Sequence, residues 1–82
     1  MERTHELKIE PEYFSEIING DKKFELRRDD RGFRVGDELI LREFKENSYT
    51  GDSCKVRVTN KFNGGQYGLS TGYCILSIEL II

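Results

Sequence analysis

One α+β domain, mainly β, is what this sequence predicts: about five strands and a single covering helix, curled into a small β-barrel. Three observations predict it. Apolar residues recur with helical spacing in one place, at Phe14, Ile17 and Ile18. From Lys23 onwards the period is two, the strand period. Many short strands joined by turn signals favour closure, because a closed sheet exposes no edges. Eighty-two residues make one domain, 1–82, near the lower limit of what a single core stabilises.

The elements follow in order. His5 to Ile9 reads as a first strand with Leu7 and Ile9 on one face. Pro11 suits the first turn of a helix, where its missing N–H is not needed. Asn19-Gly20 ends that helix. Phe24 and Leu26 then alternate with Lys23, Glu25 and Arg27, giving an apolar face and a charged face. Arg31-Gly32 and Val35-Gly36-Asp37 are turn signals. Glu38 to Phe44 is a strand centred on Leu39-Ile40-Leu41, and Asn47 to Asp52 is expected as a polar loop. Cys54, Val56 and Val58 alternate with polar residues in a half-buried strand. Asn63 to Gly72 holds four glycines in ten residues and is expected as a mobile loop. Tyr73 to Ile82 is the final strand, and Phe14, Phe24 and Phe44 are assigned to the core.

Composition excludes several function classes. No run approaches the ~18 apolar residues of a membrane helix. The segment from Met1 to Glu6 lacks the apolar core of a secretory signal, so no membrane partner and a cytoplasmic location are expected. Cys54 and Cys74 have no metal-ligand spacing and are expected as reduced core thiols. His5, the single histidine, is expected as a partly exposed surface residue. Neither a metal site, a Cys–His dyad nor a cofactor is expected from such a set. Gly64-Gly65-Gln66-Tyr67-Gly68 lacks the context of a dinucleotide fingerprint or a P-loop. A net charge of -2 is no footprint of sequence-blind DNA binding. Lys22 to Arg34, however, holds six basic residues against three acidic ones, which fits a short anionic ligand.

The strand after Gly20 is where chemistry is expected. A carboxylate at Glu25 between Lys23 and Arg27 would hold both cations in place. Arg27 could then offer its planar fork to a phosphate or a base edge. The same pattern also fits a solvated face of compensating charges. Single-stranded bases need exposed rings to stack on. Tyr67, in the glycine-rich stretch, is the preferred stacking candidate, with Tyr49 and Tyr73 as further aromatics.

Gly20-x-Lys22-x-x-Glu25-x-Arg27 resembles the Gly-x-Lys-x-x-Glu-x-Arg motif of ASCH domains in the PUA-like superfamily. Asp30-Arg31, Phe33-x-Val35-Gly36-Asp37, Tyr49-Thr50-Gly51 and Gly72-Tyr73-Cys74-Ile75-Leu76 resemble later landmarks of the small stand-alone bacterial or phage-type members. The resemblance implies a PUA-like β-barrel with a basic cleft beside the helix that binds RNA or a small nucleotide-like ligand. Lys22 would face the ligand, Glu25 would orient it or accept a proton, and Arg27 would add charge. Lys23, Arg31, Tyr49, Thr50 and Tyr67 complete the candidate binding set. Small members often carry a basic residue after Tyr-Thr-Gly, and here it is Asp52.

An enzyme is the alternative. Some ASCH-type proteins are amidohydrolases acting on acetylated cytidine, and others have been proposed as nucleases. The hydrolase type has a threonine three residues after its lysine, where this chain has Glu25. Lys22 and Glu25 would be the catalytic pair of a small amidohydrolase or nuclease acting on modified nucleosides or RNA. The two residues have opposite parity in an ideal strand. They converge if Lys22 lies in the turn after the helix, which the helix stop at Gly20-Asp21 predicts.

Overall fold

The computed structural model describes residues 3–81. Its first strand, β1 (Thr4–Ile9), leads into a helix, α1 (Pro11–Ile18). Ile17 is the helix residue buried in the core, with Phe14 packed beside it. The helix ends in a Schellman motif: the Gly20 N–H donates to Ile17 O and the Asp21 N–H to Glu16 O. Gly20 sits at φ 82°, a backbone region that disfavours any side chain. The Lys22 N–H also donates to Glu16 O, so Lys22 is held in the turn, as the helix stop predicts.

Four further strands follow: β2 (Phe24–Arg28), β3 (Glu38–Lys45), β4 (Ser48–Asn63) and β5 (Tyr73–Leu80). Ile82, assigned above to the last strand, lies outside the described residues, as do Met1 and Glu2. The sheet order is β1-β3-β4-β5-β2, with β1 parallel to β3 and the remaining pairs antiparallel. The fold is thus mainly β, five strands and one short helix, in a curled half-barrel. Its two edges, β1 and β2, are bridged by side chains in place of backbone pairing. Arg27 Nη2 donates to Lys8 O at 2.6 Å and Arg31 Nη1 to Glu6 O at 2.9 Å. These bonds occupy carbonyls that would otherwise template pairing with another chain.

Core residues come from every layer: Leu7 and Ile9, Leu39 and Leu41, Val56 and Val58, and Cys74, Leu76 and Ile78. Cys54 and Cys74 are free thiols, and burial pushes the pKa of both up. Phe33, in the turn region before β3, is also fully buried. Phe44 is half-buried, but Phe24 is exposed, contrary to its core assignment.

The cause is the facing of β2, which is opposite to the one expected. Glu25 pairs with Leu76 and Arg27 with Cys74. Directly opposed residues share a face, so the buried side of β5 draws Glu25 and Arg27 inward. Glu25 is 4% exposed and Leu26 53%. A second reversal occurs in β4. Val58 pairs with Ile78 and Asn60 with Ser77, leaving Thr59 as a bulge. Beyond it, Lys61 points inward and Phe62 outward.

Two expected loops are also ordered structure. Glu46 and Asn47, at φ 50° and 66°, form a tight hairpin turn between Lys45 and Ser48. Tyr49, Thr50 and Gly51 therefore lie in β4 and not in a polar loop. The segment from Asn63 to Gly72 is a hairpin tip braced by hydrogen bonds. Gln66 bridges Leu69, the Gly65 N–H donates to Leu69 O at 2.7 Å, and the Gly64 N–H donates to Tyr73 O at 2.8 Å. Gly64 is required there by space. A Cβ on it would collide with Ser70 O and lie 2.7 Å from Tyr73 O, both backbone atoms. Gly64→Ala is expected to destabilise the domain by about 3 kcal/mol, the upper range of overpacking. Gly20→Ala, with open space around it, is expected to cost about 1 kcal/mol. Urea unfolding of both variants checks this; equal losses would refute the steric account.

Candidate functional site

The open side of the half-barrel forms a cleft of about 540 Å³ between β1, α1 and β2. Its floor is the inward side of β2. Lys22 Nζ donates to Glu25 Oε1 at 2.8 Å, and Arg27 Nε donates to Glu25 Oε2 at 2.7 Å. Each oxygen of the buried carboxylate therefore faces one cation. This arrangement offsets the desolvation of Glu25, and among the described residues no buried side-chain polar atom lacks a partner. Lys22 Nζ also lies 4.8 Å from the Tyr13 ring centre and 5.1 Å from that of Phe24. Both are within cation–π range. The exposure of Phe24 and Leu26 acquires a role here, since both line the cleft.

The cleft is mixed in charge, not basic. Lys8, Lys22 and Arg27 face Glu10, Glu16, Asp21 and Glu25. Tyr13 carries the hydroxyl among the described lining residues; no serine, threonine, cysteine or histidine lines it.

The domain family DUF3850, a domain of unknown function, matches residues 4–78. The chain belongs to this family. An uncharacterized 12.9 kDa protein of Escherichia phage P2 is 37% identical over 60 residues, 73% of this chain. The match spans 55% of that phage protein, about half its length. The crystal structure of the hypothetical protein PH0355 superposes with a TM-score of 0.71. It covers 95% of this chain and 99% of that one at 20% identity, a likeness of fold.

In this DUF3850 domain the other candidate residues are dispersed. Lys23 lies in a separate groove with Thr59 and Ser77. Arg31 bridges the far end of the β1–β2 seam. Tyr49 packs under the Arg42 guanidinium at 3.8 Å, and Thr50 Oγ1 donates to Glu43 Oε1. Tyr67 stands at the tip of the β4–β5 hairpin, 94% exposed. Besides Phe24, the aromatic beside the Lys22–Glu25 pair is Tyr13 of the helix. Sequence reasoning missed it; Tyr13 stands one residue before Phe14 on the stripe's flank, and that spacing alone could have flagged it.

A second buried carboxylate lies at the other end of β1. Asp37 is 1% exposed and accepts from the Arg3 and Arg34 N–H groups and from His5 Nε2 at 3.0 Å. The His5 ring stands edge-on to Phe33, so the partly exposed His5 is also a packed partner of Asp37. Burial pushes the Asp37 pKa up. The hydrogen bonds from His5, Arg34 and Arg3 outweigh it and leave the carboxyl below its usual range. Asp29 is also lowered, first by Lys61, whose Nζ lies 2.7 Å from Oδ2. The bulge at Thr59 is what turns Lys61 toward it.

Proposed function

We propose that this DUF3850 domain binds one nucleotide, free or within RNA, in the cleft between α1 and β2, as its ASCH-like, PUA-like motif implies. The observation that supports the reading is the convergence of Lys22, Glu25 and Arg27 in a concave, aromatic-flanked cleft. Its volume falls in the range of small-ligand sites and suits one nucleoside unit, not a tract. Tyr13 and Phe24 offer ring faces to a base. Lys22 and Arg27, already oriented by Glu25, offer donors to a phosphate or a base edge. The carboxylates of Glu10, Glu16 and Asp21 can accept from sugar hydroxyls or base amino groups, and they repel further phosphates. Binding therefore rests on few phosphate contacts and has a shallow salt dependence.

Fluorescence anisotropy with labelled single-stranded and hairpin RNA of mixed sequence tests this, with mononucleotides as competitors. Lys22→Ala and Arg27→Ala are each expected to weaken binding about tenfold, equivalent to about 1.4 kcal/mol. Circular dichroism of each variant checks that the fold persists. Absence of salt-sensitive binding by the wild-type protein, to RNA and nucleotides alike, would overturn the reading.

A further inference from the structure

A second surface lies on the outer face of the sheet, behind the cleft. The registers place Leu26, Ile75 and Phe62 in one row across β2, β5 and β4. The row on one side is Phe24, Ser77 and Asn60; on the other side Arg28 opposes Tyr73. None of these residues is acidic; Glu79, the next outward residue of β5, lies beyond them in the groove with Lys23 and is 3.8 Å from Arg57. The face is therefore apolar and aromatic at its centre, with amide and hydroxyl groups interspersed. Arg28 lies at one end, its guanidinium 5.7 Å from the Tyr73 ring centre. Lys23 lies at the other, in the groove with Ser77.

Tyr67 extends this face from the hairpin. Its ring is tilted 35° to Phe62 with centres 6.2 Å apart. Its backbone is at φ 50°, the first central position of a tight turn where Asn or Gly is ordinarily preferred. A large aromatic there costs conformational energy and gains little packing, since the side chain is almost wholly exposed. The turn beneath it is nonetheless braced by the Gly64, Gly65 and Gln66 hydrogen bonds. A solvent-exposed ring on a hydrogen-bonded turn is presented to an external planar group.

We infer that this outer face is a second site, which binds a short single-stranded nucleic acid by stacking bases on Phe62, Tyr67 and Tyr73. Exposed ring faces on a sheet and a guanidinium within cation–π range of one of them are the chemistry that recognises unpaired bases. Arg28 and Lys23 take the flanking phosphates. The five residues of β2 span about 17 Å, enough for two or three nucleotides. The two sites meet at Phe24 and Leu26, which also line the cleft, whereas Phe62, Tyr67 and Tyr73 lie outside it.

The test is a titration of the isotope-labelled full chain with a six-nucleotide oligouridylate, followed by backbone amide NMR. Shifts are expected at Phe62, Tyr67 and Tyr73. Tyr67→Ala and Arg28→Ala should each weaken this binding at least fivefold, whereas Lys22→Ala should leave it unchanged. Three results would overturn the inference: shifts confined to the cleft, shifts abolished by Lys22→Ala, or no shifts at all. So would perturbation of these same residues by raising protein concentration without oligonucleotide, which would make the face a contact between copies. The cleft reading fails separately, through Lys22→Ala.

Discussion

Glu25→Gln is expected to destabilise the domain by about 3 kcal/mol, the scale of breaking a buried ion pair from one side. The substitution keeps the shape and removes the charge. Glu25 now accepts from Lys22 Nζ with one oxygen and from Arg27 Nε with the other. A glutamine must present its NH2 group to one of them, setting donor against donor. The opposed cation then stays largely shielded from water without a partner, since Lys22 is 13% exposed and Arg27 24%. In a domain of this size the loss corresponds to a fall in Tm of roughly 12–24 °C. Thermal unfolding by circular dichroism measures it. A fall of less than about 3 °C would show that Glu25 is not the anchor of the cleft. The Lys22→Ala and Glu25→Ala double-mutant cycle then isolates the pair from its surroundings.

Asp37→Asn is the second large effect, also about 3 kcal/mol at neutral pH, and it carries a pH signature. The carboxylate joins the start of β1 to the turn before β3 by accepting from residues 3, 5 and 34. Its pKa is lowered in the folded state, so the unfolded chain binds this proton more readily. Its contribution is fully present above the unfolded aspartate value of about 3.9, and is lost as pH falls through the folded value. Asp29 acts in the same sense through Lys61. The stability gap between wild type and Asp37→Asn is therefore expected to shrink below about pH 4. Urea unfolding across pH 2 to 7 measures this gap. A gap that stays constant down to pH 2 would refute the assignment.

Much of the fold was legible because it rests on local chemistry. Pro11 and Gly20 mark the helix through missing donors and a positive φ, both properties of single residues. The helix stop at Gly20-Asp21 also predicted that Lys22 sits in the turn, and hence that it can reach Glu25. Part of the cleft was therefore legible too. The hairpin at Glu46-Asn47 was not, because neither residue is the glycine that usually announces such a turn.

The sequence by itself determined one helix, five strands, the helix stop and the clustering of Lys22, Glu25 and Arg27 within six residues. Each depends on neighbours along the chain. The tertiary structure alone decided which way β2 faces, because alternation defines two faces and only the pairing with Leu76 and Cys74 selects the buried one. It also decided the reversal of Lys61 and Phe62, through a bulge set by the register of β4 on β5. The burial of Asp37 with His5, 32 residues apart, and the bridging of the two sheet edges by arginines were decided in the same way. A two-residue period carries no label for inside and outside. Long-range pairing supplies it, and here it turned the charged face of β2 inward and left an aromatic face in the open.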